Sequence, residues 1–138
     1  MMTANILAKQ SDVSLFTVRH YTRIGLLKPS RNRQNNYKVY QPSDAVRVRF
    51  IQAAKNLGFS LAEVADILDE AQHGNSPCPL VREIIVRRID ENRRKIKEMQ
   101  KLQRKMENSL KDWSKMKNST PDGDSVCHLI ESVGETVK

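Results

Sequence analysis

Apolar residues over the first 25 positions recur at the spacing of two short helices. The first helix has its apolar face at residues 6–8 (Ile-Leu-Ala), and the second has Val18 and Tyr21 three positions apart on one face. Ser14 is a good N-cap for the second helix because its hydroxyl can accept a hydrogen bond from a free backbone N–H. Gly25 suits the left-handed position that ends a helix. Two short helices joined by about four residues predict a helix-turn-helix.

The next stretch has the pattern of a small β-hairpin. Pro29 and Pro42 bracket it, Tyr37 and Val39 alternate with polar neighbours, and the adjacent asparagines before Tyr37 tolerate the positive φ of a tight turn. A basic hairpin beside a helix-turn-helix is typical of a wing that lies along a phosphate backbone. Its basic side chains are Arg31, Arg33 and Lys38.

Two further amphipathic helices are predicted before residue 74. Ser43 is expected to cap the first, Gly58 to end it, and Ser60 with Glu63 to open the second as a capping box. Apolar residues at helical spacing mark the faces that we expect to be buried. They are Val46, Phe50, Ile51 and Ala54 in the first helix, and Leu61, Val64, Ile67 and Leu68 in the second.

Residues 79–116 predict one long, uninterrupted helix with a narrow apolar seam. Seven of the nine seam positions are apolar and the intervening residues are mostly charged, which is typical of a two-stranded coiled coil. We therefore expect a homodimer. The alternative is a helix that folds back on its own N-terminal domain, but an aromatic content of 5% argues against it. The seam positions are Ile85, Ile89, Asn92, Ile96, Met99, Gln103, Met106, Leu110 and Trp113.

The composition after the long helix changes to that of a loop, "NSTPDGDS", followed by a short amphipathic tail, "VCHLIESV". We expect a mainly α fold in three segments. Residues 1–74 are predicted to form a winged helix-turn-helix domain for DNA binding, 75–117 a dimerisation helix, and 118–138 an effector-binding loop and tail helix.

The net positive charge of the chain arises from its first 60 residues. Residues 1–60 hold ten Lys/Arg and two Asp, which gives the whole net charge of +8, whereas residues 61–138 hold fourteen of each sign. A basic N-terminal part beside a neutral remainder indicates a nucleic-acid-binding module with a separate second module.

Several other classes of protein are disfavoured. No apolar run approaches the ~20 residues that span a bilayer, and the N-terminus lacks the basic-then-apolar pattern of a signal peptide. We therefore expect a cytoplasmic protein with reduced thiols and no membrane partner. The sequence has no nucleophile–base constellation, no HExxH motif and no glycine-rich phosphate loop, so we do not expect an enzyme.

The order of these elements resembles that of the MerR family of transcription regulators. The segments that carry the resemblance are "ILAKQSDVSLFTVRHYTRIGLL", "NNYKVYQPSDAVRVRFI" and "LGFSLAEVADIL". The resemblance implies a homodimer with antiparallel long helices, bound to promoter double-stranded DNA between the −35 and −10 elements. When an effector binds, such a dimer untwists and bends the DNA so that RNA polymerase can start.

The resemblance also implies a set of DNA contacts. Arg19 matches the family arginine that reaches base edges, and arginine suits a bidentate contact to guanine. His20 stands where many relatives have tyrosine or phenylalanine, and Asn36 where glycine is commoner. The expected DNA-binding residues are Ser14, Thr17, Arg19, His20, Tyr21 and Arg23 in the second helix and Arg31, Tyr37, Lys38 and Tyr40 in the wing.

The two cysteines, Cys78 and Cys127, leave a disulfide, a metal site and two inert thiols open, although a reducing compartment disfavours the disulfide. In the metal-responsive branch of the family, a cysteine at the start of the long helix reaches cysteines in the loop of the other subunit. Cys78 matches the first position and Cys127 the last. The resemblance thus implies a divalent metal ion of the zinc, cadmium, lead or mercury class.

One departure from the family pattern affects this site. The loop's first cysteine, expected eight to ten residues before Cys127, is absent. His128 is then the candidate third ligand, with His73, Asp122 or Asp124 as the fourth, and a Cys/His/Asp set is acceptable for zinc. The main alternative effector is an oxidant or electrophile that modifies the thiols, and an organic ligand or the absence of any effector also stays open.

Overall fold

The computed structural model describes residues 2–136, with side-chain surroundings as far as residue 134. Met1, Val137 and Lys138, which bound the first and last predicted segments, lie outside the described residues. The described chain forms six helices and one two-stranded antiparallel sheet. In chain order they are α1 (Ala4–Gln10), α2 (Leu15–Arg23), β1 (Ser30–Arg31), β2 (Lys38–Val39), α3 (Pro42–Asn56), α4 (Leu61–Gln72), α5 (Cys78–Trp113) and α6 (His128–Thr136).

The predicted fold class is confirmed: the protein is mainly α, with a helix-turn-helix, a small hairpin wing and a long helix. The chain divides into two compact units, Met1–Arg88 and Ile89–Lys138. The first turns of α5 therefore belong to the same unit as the N-terminal helices.

Helices α1 and α2 form the predicted helix-turn-helix. The Ser14 hydroxyl accepts a hydrogen bond from the Thr17 backbone N–H at 3.0 Å, which confirms the predicted N-cap of α2. Val18 and Tyr21 are buried, as their spacing predicted. The prediction for residues 6–8 was only partly right, because Ile6 is 44% exposed while the next two residues are buried.

The wing is a short hairpin in which Ser30 pairs with Val39 and Arg31 with Lys38. Asn36 has a φ of 61°, so the asparagine supplies the left-handed residue of the turn. An antiparallel bridge joins Met2 to Tyr40 through two backbone hydrogen bonds of 2.7 and 2.8 Å. This bridge fixes the wing to the chain segment that leads into α1.

Helices α3 and α4 complete the core of the first unit. The predicted Ser43 cap of α3 was wrong: Gln41 is the N-cap, Pro42 takes the first helical position, and Asp44 closes the capping box. Val46 is 60% exposed and not buried as predicted. The predicted capping box of Ser60 in α4 is confirmed.

Replacing Ser60 by alanine is expected to lower the free energy of unfolding by about 1 kcal/mol, because the first turn of α4 loses its cap. The matched control is Ser43→Ala, which removes an exposed serine two residues into α3 and is expected to change stability by less than about 0.5 kcal/mol. Urea unfolding of the two variants measures the difference. Equal losses would contradict the cap positions.

Helix α5 runs for 36 residues, and its first turns are held to α4. Arg88 forms an ion pair with Glu63, whose carboxylate also accepts a hydrogen bond from the Ser60 backbone N–H at 2.8 Å. The Ser60 backbone, foremost, and Arg88 lower the pKa of Glu63. Among residues 2–136 no helix has the length and apolarity of a membrane span.

Candidate nucleic-acid interface and thiol groups

The outward face of α2 is polar and cationic. Arg19, His20 and Arg23 stand three, four and seven residues after the helix's second position and therefore share one face, while Val18 and Tyr21 face the core. Arg19 and Arg23 are exposed and His20 is half-buried. This face presents two guanidinium groups to solvent, and guanidinium groups match guanine edges and phosphates.

An aromatic side chain stands at the start of the same face. Phe16 is 72% exposed, and its ring stacks on that of His20 with centroids 6.2 Å apart and planes 13° apart. His20 Nδ1 is in turn 3.2 Å from Arg23 Nη2. Phe16 was not among the contact residues predicted from the sequence. Its place four residues before His20, on the polar face of α2, could have indicated it.

Two of the predicted contact residues also form the cap of α2. The Ser14 and Thr17 hydroxyls are 2.9 Å apart, and Ser14 accepts the Thr17 N–H. Ser14 is exposed and Thr17 is half-buried beside the N-terminus of α2. Free N–H groups and the helix dipole favour the binding of a phosphate at such a position.

A cleft of about 480 Å³ lies between the start of α1, α2 and the wing. Arg19 lines it from α2, and Arg31, Tyr37 and Lys38 line it from the wing. Tyr37 is 68% exposed, and Arg31 Nη1 donates a hydrogen bond of 3.1 Å to the backbone oxygen of Asn36. The structure thus brings the predicted base-reading arginine and three predicted wing residues to one concave surface.

Tyr21 and Tyr40 differ from the other predicted contact residues because both are 1% exposed. The Tyr21 hydroxyl accepts a hydrogen bond of 2.6 Å from Gln52, and burial raises the pKa of Tyr21. The Tyr40 hydroxyl is 2.7 Å from the hydroxyl of Thr22 in α2. In the unbound chain these two side chains connect elements of the domain and do not form its outer surface.

The cysteines are free thiols that lie in different units of the chain. Cys78 is exposed at the first position of α5, and Cys127 is half-buried directly before α6. Within residues 2–136 no three His, Cys, Asp or Glu side chains gather at a position that could hold a metal ion. The predicted ligand set of Cys78, Cys127 and His128 is divided between the two units of the chain.

The loop around Cys127 is organised by a residue that sequence reasoning missed. Glu131 accepts hydrogen bonds from the Ser125 hydroxyl and from the backbone N–H groups of Val126 at 2.9 Å and Cys127 at 3.4 Å. The Ser125 hydroxyl, foremost, lowers the pKa of Glu131. This carboxylate holds Cys127 at the N-terminus of α6.

His128 also has a partner in this loop. Its Nδ1 is hydrogen-bonded to the hydroxyl of Ser119. Ser119 stands eight residues before Cys127, in the interval where the family pattern places the first cysteine of the loop. Because this bond engages Nδ1, Nε2 is the ring nitrogen that could coordinate a metal ion.

Two of the three candidates for a fourth ligand already have partners. His73 Nδ1 is 2.8 Å from the backbone oxygen of Asp69, which raises the pKa of His73. Asp122 accepts the backbone N–H groups of Asp124 at 2.7 Å and Ser125 at 2.9 Å. His73 belongs to the first unit and Asp122 to the second.

Two family descriptions match the chain: "MerR HTH family regulatory protein" over residues 2–71 and "MerR, DNA binding" over residues 45–108. The chain is 30% identical to the HTH-type transcriptional regulator HmrR of Rhizobium leguminosarum bv. viciae, over 93% of this chain and 94% of the relative. It is 38% identical to the mercuric resistance operon regulatory protein of Shigella flexneri, over 52% of this chain and 51% of the relative.

Solved structures have the same fold. The crystal structure of the transcription regulator PbrR691 from Ralstonia metallidurans CH34 in complex with lead(II) superposes with a TM-score of 0.77. It is 23% identical, and the match covers 96% of this chain and 99% of that chain. At this identity the likeness concerns the fold.

Proposed function

The chain belongs to the MerR family of transcription regulators and is not an enzyme, and from that premise we propose a dimeric, promoter-binding regulator switched by a soft divalent metal ion. The proposal has three parts: the DNA surface, the dimer seam and the effector site. The single observation that carries the first part is the concave surface formed by α2 and the wing.

The DNA part rests on charge and exposure. Arg19, Arg31 and Lys38 are exposed around one cleft, in the region that holds the whole net positive charge of the chain. We assign α2 to the major groove and the wing to the adjacent phosphates. Buried Tyr40 ties the end of the wing to α2 through Thr22, and buried Tyr21 ties α2 to α3 through Gln52. On this assignment both tyrosines meet DNA at most through their hydroxyls.

The dimer part rests on α5. Except for the half-buried Trp113, the seam residues of the second unit are exposed in the single chain, and an apolar stripe of this length is stabilised when a second copy covers it. An antiparallel pair would place the start of one α5 beside the loop that follows the other. The exposed apolar seam residues are Ile89, Ile96, Met99, Met106 and Leu110.

The effector part rests on the same antiparallel pairing. Cys78 of one protomer and Cys127 and His128 of its partner would supply two thiolates and one imidazole. Two thiolates suit mercury, and the added histidine extends the set toward zinc, cadmium or lead. The effector would act in the cytoplasm by changing how the dimer untwists and bends promoter DNA for RNA polymerase.

A second effector chemistry is favoured by one observation. Both cysteines are free, and Cys78 is exposed at a helix start, where an oxidant or electrophile reaches its sulfur directly. The alternative is therefore the same scaffold switched by thiol oxidation or alkylation.

The deciding experiment is a metal titration of the reduced, purified protein with zinc, cadmium, lead and mercury. The wild-type dimer is expected to bind two metal ions with high affinity, one at each Cys78–Cys127 site. Cys78→Ser and Cys127→Ser are each expected to lose this binding. His128→Ala is expected to weaken binding. His20→Ala removes a histidine of α2, outside the proposed ligand set, and as the matched control is expected to leave metal affinity unchanged.

Mixing the two cysteine variants gives a second readout. If the site joins two protomers, an exchanged heterodimer has one site with both cysteines and one with none, so each heterodimer recovers half the capacity of a wild-type dimer. Random exchange of equal amounts makes half of the dimers heterodimers, so the mixture is expected to recover about a quarter of the wild-type capacity. Metal binding that ignores both cysteines would contradict the effector assignment. Peroxide or alkylating agents that change DNA affinity through Cys78 without metal would favour the alternative.

A further inference from the structure

We propose that Phe16 is a sequence-reading residue of the recognition helix, and that it packs against the C5-methyl group of a thymine in the major groove. The inference rests on the proposed function, because it requires α2 to lie in that groove. It adds an apolar contact to a surface otherwise described by its charges, and Phe16 is absent from the contacts that the family resemblance implies.

The position of Phe16 on α2 is the first argument. Residues at i, i+3, i+4 and i+7 share a helix face, and from Phe16 these positions are Arg19, His20 and Arg23. The buried residues Val18 and Tyr21 point to the opposite side. Phe16 therefore lies on the same stripe as the arginines and cannot enter the core without turning them inward.

The place along the helix is the second argument. Phe16 is the second residue of α2, and recognition helices contact base edges mainly with their N-terminal residues. Arg19 follows one turn later, so the two side chains would meet neighbouring base pairs of one half-site.

The surroundings of the ring are the third argument. The His20 ring stacks under Phe16, and Arg23 holds His20 from the following turn. The stacking favours one orientation of a ring that is 72% exposed, so binding is expected to cost less side-chain entropy than for a ring without this contact. Single exposed apolar residues are ordinary on protein surfaces, but this one stacks on a histidine that is itself paired with Arg23.

The chemistry of the groove selects the partner. A phenylalanine ring has no hydrogen-bond donor or acceptor, so it cannot read the polar edges of guanine, cytosine or adenine. The thymine methyl is the apolar group that the major groove presents, and phenylalanine is among the residues that contact it. A charged phosphate has no apolar group on which this ring could pack.

The test removes that methyl group alone. Operator half-sites are first selected from random duplexes with the full-length protein, and each thymine is then replaced by deoxyuridine, which pairs identically but lacks the methyl. At one thymine per half-site, wild type is expected to lose affinity about fourfold, the effect of one buried methyl, and about sixteenfold when both half-sites are changed. Phe16→Ala is expected to bind thymine and uracil operators equally at that position.

Phe16→Leu is the conservative variant, and part of the methyl sensitivity is expected to return with it. Circular dichroism and dimer mass of Phe16→Ala are expected to match wild type because the side chain is exposed. Wild-type binding that ignores every replacement, a half-site without an invariant thymine, or equal uracil sensitivity in Phe16→Ala would overturn the inference. Selection that yields no preferred sequence would instead overturn the proposed DNA function, and this inference with it.

Discussion

Arg19→Ala is expected to lower the affinity for the operator by about a thousandfold while leaving the affinity for random duplex DNA within about threefold. A bidentate arginine–guanine contact is worth about 2 kcal/mol of discrimination, and a dimer makes it twice, so about 4 kcal/mol is at stake. Fluorescence anisotropy with operator and scrambled duplexes, at several salt concentrations, measures both affinities.

The expected effect is limited to DNA recognition because the Arg19 side chain lies outside the core. Arg19 is exposed at the cleft between α2 and the wing, and its removal takes nothing from the core. The proposed phosphate contacts of Arg31 and Lys38 would stay, so nonspecific binding and most of its steep salt dependence are expected to remain.

The matched control is Arg87→Ala. Arg87 is an exposed arginine of α5, so the variant loses the same charge outside α2 and the wing. It is expected to keep the ratio of operator to random affinity. If Arg19→Ala weakened operator and random DNA equally, Arg19 would be a phosphate contact and the base-reading assignment would fail.

Local sequence signals predicted most of the first unit. The Ser14 and Ser60 caps could be predicted because each cap bond joins residues only three positions apart. Gly58 ends α3, as predicted, with a φ of 90°. Such signals need no knowledge of the rest of the chain. Ser43 failed as a cap because Gln41 and Asp44 form a less common capping box around Pro42.

Burial was harder to predict because it depends on distant partners. Tyr21 bonds to Gln52, 31 positions away, and Tyr40 reaches back to Thr22. Helical spacing predicted the burial of Tyr21 but not its partner, and no local pattern separates Tyr40 from the exposed Tyr37. Helical spacing likewise placed Ile6 and Val46 on apolar stripes but did not show that each lies at the exposed edge.

The effector residues show a different limit of sequence reasoning. The family pattern predicted Cys78 and Cys127 as ligands, but the proposed site needs a second protomer to bring them together. Glu131 was missed because its function as a cap for the Cys127 backbone depends on a loop that turns back on α6.

Met99→Glu is expected to raise the dimer dissociation constant by about a thousandfold. Met99 lies in the middle of the predicted seam and is 64% exposed in the single chain, so pairing of two α5 helices would bury it. An ionised carboxylate in that seam costs several kcal/mol, and about 4 kcal/mol corresponds to the expected change. Sedimentation equilibrium over a range of concentrations measures it.

Asn108→Glu is the matched control for charge. Asn108 is exposed on α5 nine residues later, at a heptad position opposite the seam, and the substitution adds the same single negative charge. This variant is expected to remain a dimer. Met99→Glu should keep its helix content at high concentration, yet lose operator binding, because one protomer contacts only one half-site. A stable Met99→Glu dimer would contradict the seam, and with it the antiparallel pairing on which the Cys78–Cys127 site depends.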